Sequence, residues 1–245
     1  MKKVNKIFAI GDVHGCYEEM MLLFKKLPLN PKKDLVVFLG DYMDRGLDSK
    51  KVVTQLIKWH ELYPHWVFLY GNHEDIFKNW LEGGQKYQED NKWSCFLGNG
   101  GRDTLLSYIM TDFRKNLFKE NKFPKKHLDF LFNETKMMYE TKDYVFVHAG
   151  LVPELPISEH LTEEVYKNAM LWGREKFINS DWDWSKKVIF GHTPAYKAKW
   201  GIFGQPIIMK NKIGIDGAVC SSKLGANLIA IELPLEKFYF QESLI

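Results

Sequence analysis

Five short apolar runs constrain this chain more than any other feature of its sequence. They are Lys6–Ile10 (KIFAI), Leu35–Leu39 (LVVFL), Val67–Tyr70 (VFLY), Tyr144–Val147 (YVFV) and Val188–Phe190 (VIF). Each is too short for a helix and rich in β-branched or aromatic residues, so each reads as a buried strand. Each run is followed at once by a turn carrying Asp, Asn or His: Gly11-Asp12, Gly40-Asp41, Gly71-Asn72, His148-Ala149-Gly150 and Gly191-His192. Functional groups gather at strand ends because a rigid sheet positions loops that stay open to ligands.

Helical patterns separate the first three runs. Tyr17–Leu27 places Met20, Leu23, Phe24 and Leu27 on one face and stops at Pro28. Ser49–Leu62 repeats the pattern with Val52, Val53, Leu56, Ile57 and Trp59, and Asp48 or Ser49 can cap it. The alternation predicts βαβ units with parallel pairing, an α/β chain. Residues 74–135 turn helical and aromatic, broken at GNGG (Gly98–Gly101), with Pro124 suited to the first turn of KKHLDFLF. We read this stretch as a helical insertion in one domain, 1–245, because ligand-bearing strands resume after it. Further strands are expected at Ile207–Met209, Lys212–Ile215, Asn227–Leu233 and Phe238–Phe240.

Composition excludes several classes. Lys and Arg number 34 against 31 Asp and Glu, so no global field points to nucleic acid. The basic run Lys122–Lys126 reads as a solvated helix start. Cys16, Cys95 and Cys220 are odd in number and far apart, which suggests neither a disulfide framework nor a zinc motif and fits a reducing compartment. The IFAI run is too short for a secretory leader and no stretch is long enough to span a membrane, so a cytoplasmic protein is the expectation.

The strand ends supply Asp12, His14, Asp41, Asn72, His148 and His192. Singly, each is an ordinary turn or core residue; five coincidences favour a shared site. If one carboxylate bridges, two metals can sit about 3.5–4 Å apart, the spacing of two-metal hydrolytic centres. Mixed imidazole, carboxylate and amide donors suit Mn, Fe or Zn better than an all-oxygen ion.

The ordered set GDVHG, GDYMDRG, GNHED, HAG and GHTP resembles the signature of the phosphoprotein phosphatase family of metallophosphoesterases, in its bacterial and phage form similar to bacteriophage lambda phosphatase. The resemblance implies a calcineurin-like metallophosphoesterase fold, two mixed β-sheets sandwiched and flanked by helices. It implies that Asp12, His14 and Asp41 hold one metal, and that Asp41 bridges to a second completed by Asn72, His148 and His192. Arg45 would grip the phosphate with its planar fork, and Arg174 in LWGRE would match a second phosphate arginine. A water bridging the metals would attack phosphorus, with His73 as general acid and Asp44 orienting its ring. Glu74 is expected to start the next helix, its carboxylate at the positive end of the dipole. Arg102 in GNGGRDT also matches bacterial members, without a role.

The chain departs from the family pattern at Ile215-Asp216-Gly217, where many bacterial relatives carry IDTG, and at Ser221-Ser222 before Lys223-Leu224. The change touches substrate fit more than metal chemistry. The expected activity is hydrolysis of phosphoserine or phosphothreonine, with dual specificity open. The alternative is a symmetrical dinucleoside tetraphosphate hydrolase; a silent binding module is a third reading, disfavoured by the intact ligands. Trp80, Trp93, Trp182, Trp184 and Trp200 are expected mainly in packing, with the WDW of Trp182–Trp184 a possible flank of the cleft.

Overall fold

The computed structural model describes residues 6–83, 95–110, 123–198 and 201–245. Its first part alternates β1 (Ile7–Ile10), α1 (Tyr17–Lys26), β2 (Leu35–Phe38), α2 (Ser49–Leu62) and β3 (Val67–Phe68). The three strands are parallel, with Ile7 opposite Leu35 and Val37 opposite Val67. The VFLY run is a regular strand over its first two residues; Leu69 N–H still bonds the Phe38 carbonyl on the β2 side, while Phe68 and Tyr70 bond Lys136 on the other edge. Helix α3 then spans Asn72–Gly83, beginning two residues before Glu74. The stretch that follows includes α4 (Arg102–Met110), entered through a kink at Gly100 (φ +99°), and α5 (Lys125–Asp129), with Pro124 at its cap.

The second sheet comprises β4 (Met138–Glu140), β5 (Tyr144–Val147), β6 (Lys187–Phe190), β7 (Ile207–Ile208) and β8 (Lys212–Gly214). Its order is β4-β5-β6-β8-β7, with β5, β6 and β8 parallel and the two edge strands antiparallel. β9 (Asn227–Leu233) and β10 (Lys237–Glu242) return to the first sheet, ordered β10-β9-β1-β2-β3. β10 is longer than expected because six of its residues pair with β9.

Strand residues alternate between two apolar layers. Phe8, Ile10, Val36 and Phe38 pack on the helical side with Met20, Leu23, Val52 and Leu56. Ala9, Leu35 and Val37 face the other way, into a layer shared with Phe146, Ile189 and Ile213 of the second sheet. Parallel strands covered on both faces need no polar alternation, which is why these runs are apolar throughout. Helices α6 (Glu164–Trp172) and α7 (Glu175–Ile178) place Met170 and Phe177 over Val145, Val147, Val188 and Phe190 on the far face. The architecture is thus two mixed sheets packed together and flanked by helices. Among the described residues no helix is long and apolar enough to cross a membrane.

Candidate metal centre and active site

The carboxyl ends of β1, β2, β5 and β6 open on one side of the sandwich, with the start of α3 among them. Five of the polar residues gathered there have left-handed backbones: His14 (φ 46°), Asp41 (φ 53°), Asp44 (φ 69°), Arg45 (φ 71°) and His192 (φ 60°). Such conformations cost a non-glycine residue about 1 kcal/mol or more and persist only where packing over-determines them. Two glycines give the carboxylates their room. A Cβ at Gly71 would lie 2.2 Å from Asp41 Oδ1, and one at Gly191 would lie 2.1 Å from Asp12 Oδ1.

Asp41 stands at the centre. Its Oδ1 lies 3.4 Å from His148 Nε2 and its Oδ2 lies 3.5 Å from His14 Nε2, so the two oxygens face two different imidazoles. His148 Nδ1 donates to the Leu39 carbonyl at 2.8 Å and His14 Nδ1 donates to the Met43 carbonyl at 2.8 Å, which leaves each Nε2 as a lone pair turned inward. Asn72 Oδ1 lies 2.9 Å from His148 Nε2 and 2.8 Å from His192 Nδ1. Acceptors converging at such distances suit a cation. Burial alone would raise the Asp41 carboxyl, but His148, His73, His14 and His192 override it and hold it below the usual range. Burial, then Asp216 and Asp41, pushes Asp12 well up, a clustering of buried carboxylates that positive charge would relieve.

Among the described residues two carboxylate–histidine groups could hold metal ions, His14 with Asp41 and His73, and Asp41 with His148 and His192. Both contain Asp41. The first includes His73 where the sequence suggests Asp12, whose two oxygens here accept the His192 backbone N–H at 3.1 and 3.0 Å. His73 has a second tie: its Nδ1 donates to Asp44 Oδ2 at 2.7 Å. Thr104 Oγ1 donates to the other Asp44 oxygen at 2.6 Å, so Asp44, fully buried, is held from both sides. The Arg45 fork donates to His14 Nε2 at 2.7 Å and to His73 Nε2 at 2.8 Å.

A sequence model of the calcineurin-like phosphoesterases matches residues 5–211. The chain belongs to that family. Calcineurin-like phosphoesterases are hydrolases built on a binuclear metal centre, and the acceptor-lined site on this chain fits one. A symmetrical bis(5'-nucleosyl)-tetraphosphatase of Chromobacterium violaceum is 29% identical over 65% of the chain and 49% of its own length. The chain thus spans about half the length of such relatives. Two further relatives match nearly end to end. The asymmetrical bis(5'-nucleosyl)-tetraphosphatase PrpE of Oceanobacillus iheyensis is 28% identical over 90% of the chain and 87% of its own length. Serine/threonine-protein phosphatase 2 of Salmonella typhimurium is 25% identical over 89% and 90%.

Several features of this phosphoesterase site escape the sequence reading. Glu74 stands in the first turn of α3, as expected, but it also does more than face the helix dipole. It is fully buried, its Oε2 accepts the N–H of Asp41 (2.9 Å) and Gly71 (3.0 Å), and its Oε1 accepts the N–H of Tyr42 (2.9 Å). The acidic partner of the Asp41 loop therefore comes from the helix that carries His73. Arg174 lines the cavity above the centre and donates to the His192 carbonyl (3.0 Å) and Thr193 Oγ1 (3.1 Å), not to Glu175. Arg102 is exposed at the start of α4. Asp216, at the departure from the family pattern, lines the same cavity.

The cysteines and tryptophans also differ from expectation. Cys16 and Cys220, which their spacing left unrelated, lie Sγ to Sγ 2.7 Å apart, and Cys220 lines the cavity. Trp184 of WDW packs on Phe177 in the far core and is 5% exposed, so this part of the motif does not flank the cleft. That place is taken by Trp172, 42% exposed, at the end of α6. Trp80 packs between Phe77 and Phe96 as expected. Trp93, Trp200 and Lys122 lie outside the described residues.

Proposed function

We propose that this chain is a phosphohydrolase in which Asp12, His14 and Asp41 would hold a first metal, and Asp41, Asn72, His148 and His192 would hold a second. The observation that carries the reading is the inward convergence of acceptors on Asp41 and Asn72, with the His73–Asp44 pair beside it. Mn, Fe or Zn fits this donor set. When bound, the ions supply positive charge beside the phosphoryl group and acidity to water.

The side chains do the rest. Arg45 and Arg174 bind the non-bridging phosphoryl oxygens; a phosphate is a stronger acceptor than a neutral imidazole, so substrate draws the Arg45 fork away from His14 and His73. His73 Nε2 is then free to carry a proton. Asp44, fixed by Thr104, holds the ring in the tautomer with Nδ1–H and stabilises the imidazolium. Water's oxygen bonds to phosphorus as one of its protons leaves to solvent, the bond to the leaving oxygen breaks, that oxygen takes a proton from His73, and the imidazole regains one from solvent. Glu74 keeps the Asp41 turn in place through three N–H bonds.

For the substrate we take a dinucleoside polyphosphate first, on the strength of PrpE, which the chain matches over most of both lengths. Phosphoserine or phosphothreonine is the second reading, supported by the similar span of the Salmonella phosphatase. The test is a panel of p-nitrophenyl phosphate, diadenosine tetraphosphate and a phosphothreonine peptide, each with Mn, Fe or Zn restored to chelated protein. Metal-dependent turnover is expected. No turnover on any of them under any metal sinks the reading.

A further inference from the structure

The cavity above the metal centre, about 360 Å3, carries more positive and aromatic groups than a single phosphoryl group needs. Arg45 and Arg174 already suffice for that group. A third cation, Lys197, lines the same cavity, and burial followed by the charge of Arg174 lowers its ammonium pKa. Asp216 on the same wall offsets this in part, and an anion entering between Lys197 and the two arginines would relieve the rest. Beside it are two apolar rings that folding leaves half in solvent, Trp172 (42% exposed) and Tyr196 (48% exposed). Trp172 meets the His192 ring edge-on at 6.1 Å. Tyr196 is backed by Phe203, ring centroids 5.4 Å apart. Both therefore stand against other rings at the wall of a cavity whose floor binds phosphate.

We propose that this wall is a nucleotide subsite: Lys197 takes a second phosphate of a polyphosphate chain, and Tyr196, with Trp172 opposite or beside it, stacks a nucleobase. The assignment rests on the phosphohydrolase reading above and deepens it to particular residues. The chemistry separates the two substrate classes. A phosphopeptide offers one phosphate and a backbone, and it uses neither a second cation nor a flat π-face. A nucleoside polyphosphate uses both, and stacking on an aromatic tolerates different bases because every base has a π-face.

The test compares kcat/KM for diadenosine tetraphosphate, inorganic tripolyphosphate and p-nitrophenyl phosphate in metal-restored wild type, Tyr196→Ala, Tyr196→Phe and Lys197→Gln. Tyr196→Ala is expected to lower the diadenosine tetraphosphate to tripolyphosphate ratio about tenfold or more. Tyr196→Phe restores it, since the ring and not the hydroxyl does the stacking. Lys197→Gln is expected to lower both polyphosphates about tenfold relative to p-nitrophenyl phosphate. Equal effects on all three substrates, or unchanged ratios, overturn the subsite while the phosphohydrolase reading survives. An absence of turnover on every substrate defeats the phosphohydrolase reading itself, and the two failures are told apart by the wild-type p-nitrophenyl phosphate rate.

Discussion

Replacing Glu74 by Gln tests whether the Asp41 turn is held by charge. The carboxylate receives three backbone N–H groups, from Asp41, Tyr42 and Gly71, at 2.9, 2.9 and 3.0 Å. Burial, and after it the charge of Asp41, pushes this carboxyl up to about 8. Three backbone donors favour the ionised form, and the comparison is made at about pH 9, above the carboxyl's range, where that form is present. Gln keeps the shape and can place its oxygen where Oε2 accepts from Asp41 and Gly71. Its NH2 must then face the Tyr42 N–H, donor against donor. One charge-assisted bond is lost and one buried N–H is stranded, a cost of about 2–4 kcal/mol, partly offset by removing a buried charge next to Asp41. The net expectation is about 2 kcal/mol, or roughly 0.7 M in the urea midpoint for a slope near the upper end for small domains, about 3 kcal/mol per M. Manganese affinity should fall with it, since the Asp41 turn loosens. The assay is urea unfolding of chelated wild type and Glu74→Gln, followed by calorimetric titration with Mn. A midpoint within the equivalent of about 0.5 kcal/mol would refute the reasoning and show that Glu74 is a neutral acid in the fold.

Other outcomes follow from the same geometry. His73→Asn should cut turnover of alkyl phosphates by about 10²–10⁴ while elemental analysis finds both metals retained; loss of metal would remove the proton-donor role. His127 is 8% exposed and its Nδ1 accepts the Tyr108 hydroxyl at 2.8 Å. Burial, then Lys50 and Lys126, lowers it to about 4. A lowered imidazole means the unfolded chain takes up this proton first, so its contribution is present above about 6.5 and is lost as pH falls toward 4, by at most about 3 kcal/mol. Urea midpoints at pH 7 and pH 5 should converge less steeply in His127→Gln; an identical slope in both proteins excludes the assignment. Treatment with the azo oxidant diamide should join Cys16 to Cys220, both thiols giving up hydrogen to the reagent, and dithiothreitol should reverse it. Peptide mapping that finds both thiols free after oxidation would show that the two sulfurs do not meet in solution.

Much of the fold was legible because hydrophobic pattern and turn chemistry are local. The parallel strands were visible as apolar runs without polar alternation, which is what burial on both faces requires. Their lengths were less so: VFLY is a regular strand only to Phe68, and its outer edge is covered by Lys136, far along the chain, through a single bridge at Leu69. The turns ending in Asp, Asn and His announced a site, since such residues rarely recur at strand ends without a shared task. Thr104, bonded to Asp44, carried no comparable signal, being one threonine in a helical stretch. Trp172 was indistinguishable from a core residue until the end of α6 was placed beside His192.

By itself, then, the sequence determined the element types, the order of the strand-end ligands and the chemistry such donors can support, all properties of neighbouring residues. The tertiary structure decided which atoms meet. It gave Glu74, besides its place at a helix start, a grip on a loop 33 residues earlier, brought two cysteines 204 residues apart into contact, and set Lys197 and Tyr196 in one cavity with Arg45 and Arg174. The physical reason is range. Periodicity and turn preference act over a few residues, whereas a ligand site is a set of distances fixed by how two sheets pack, and packing is decided by the whole chain at once.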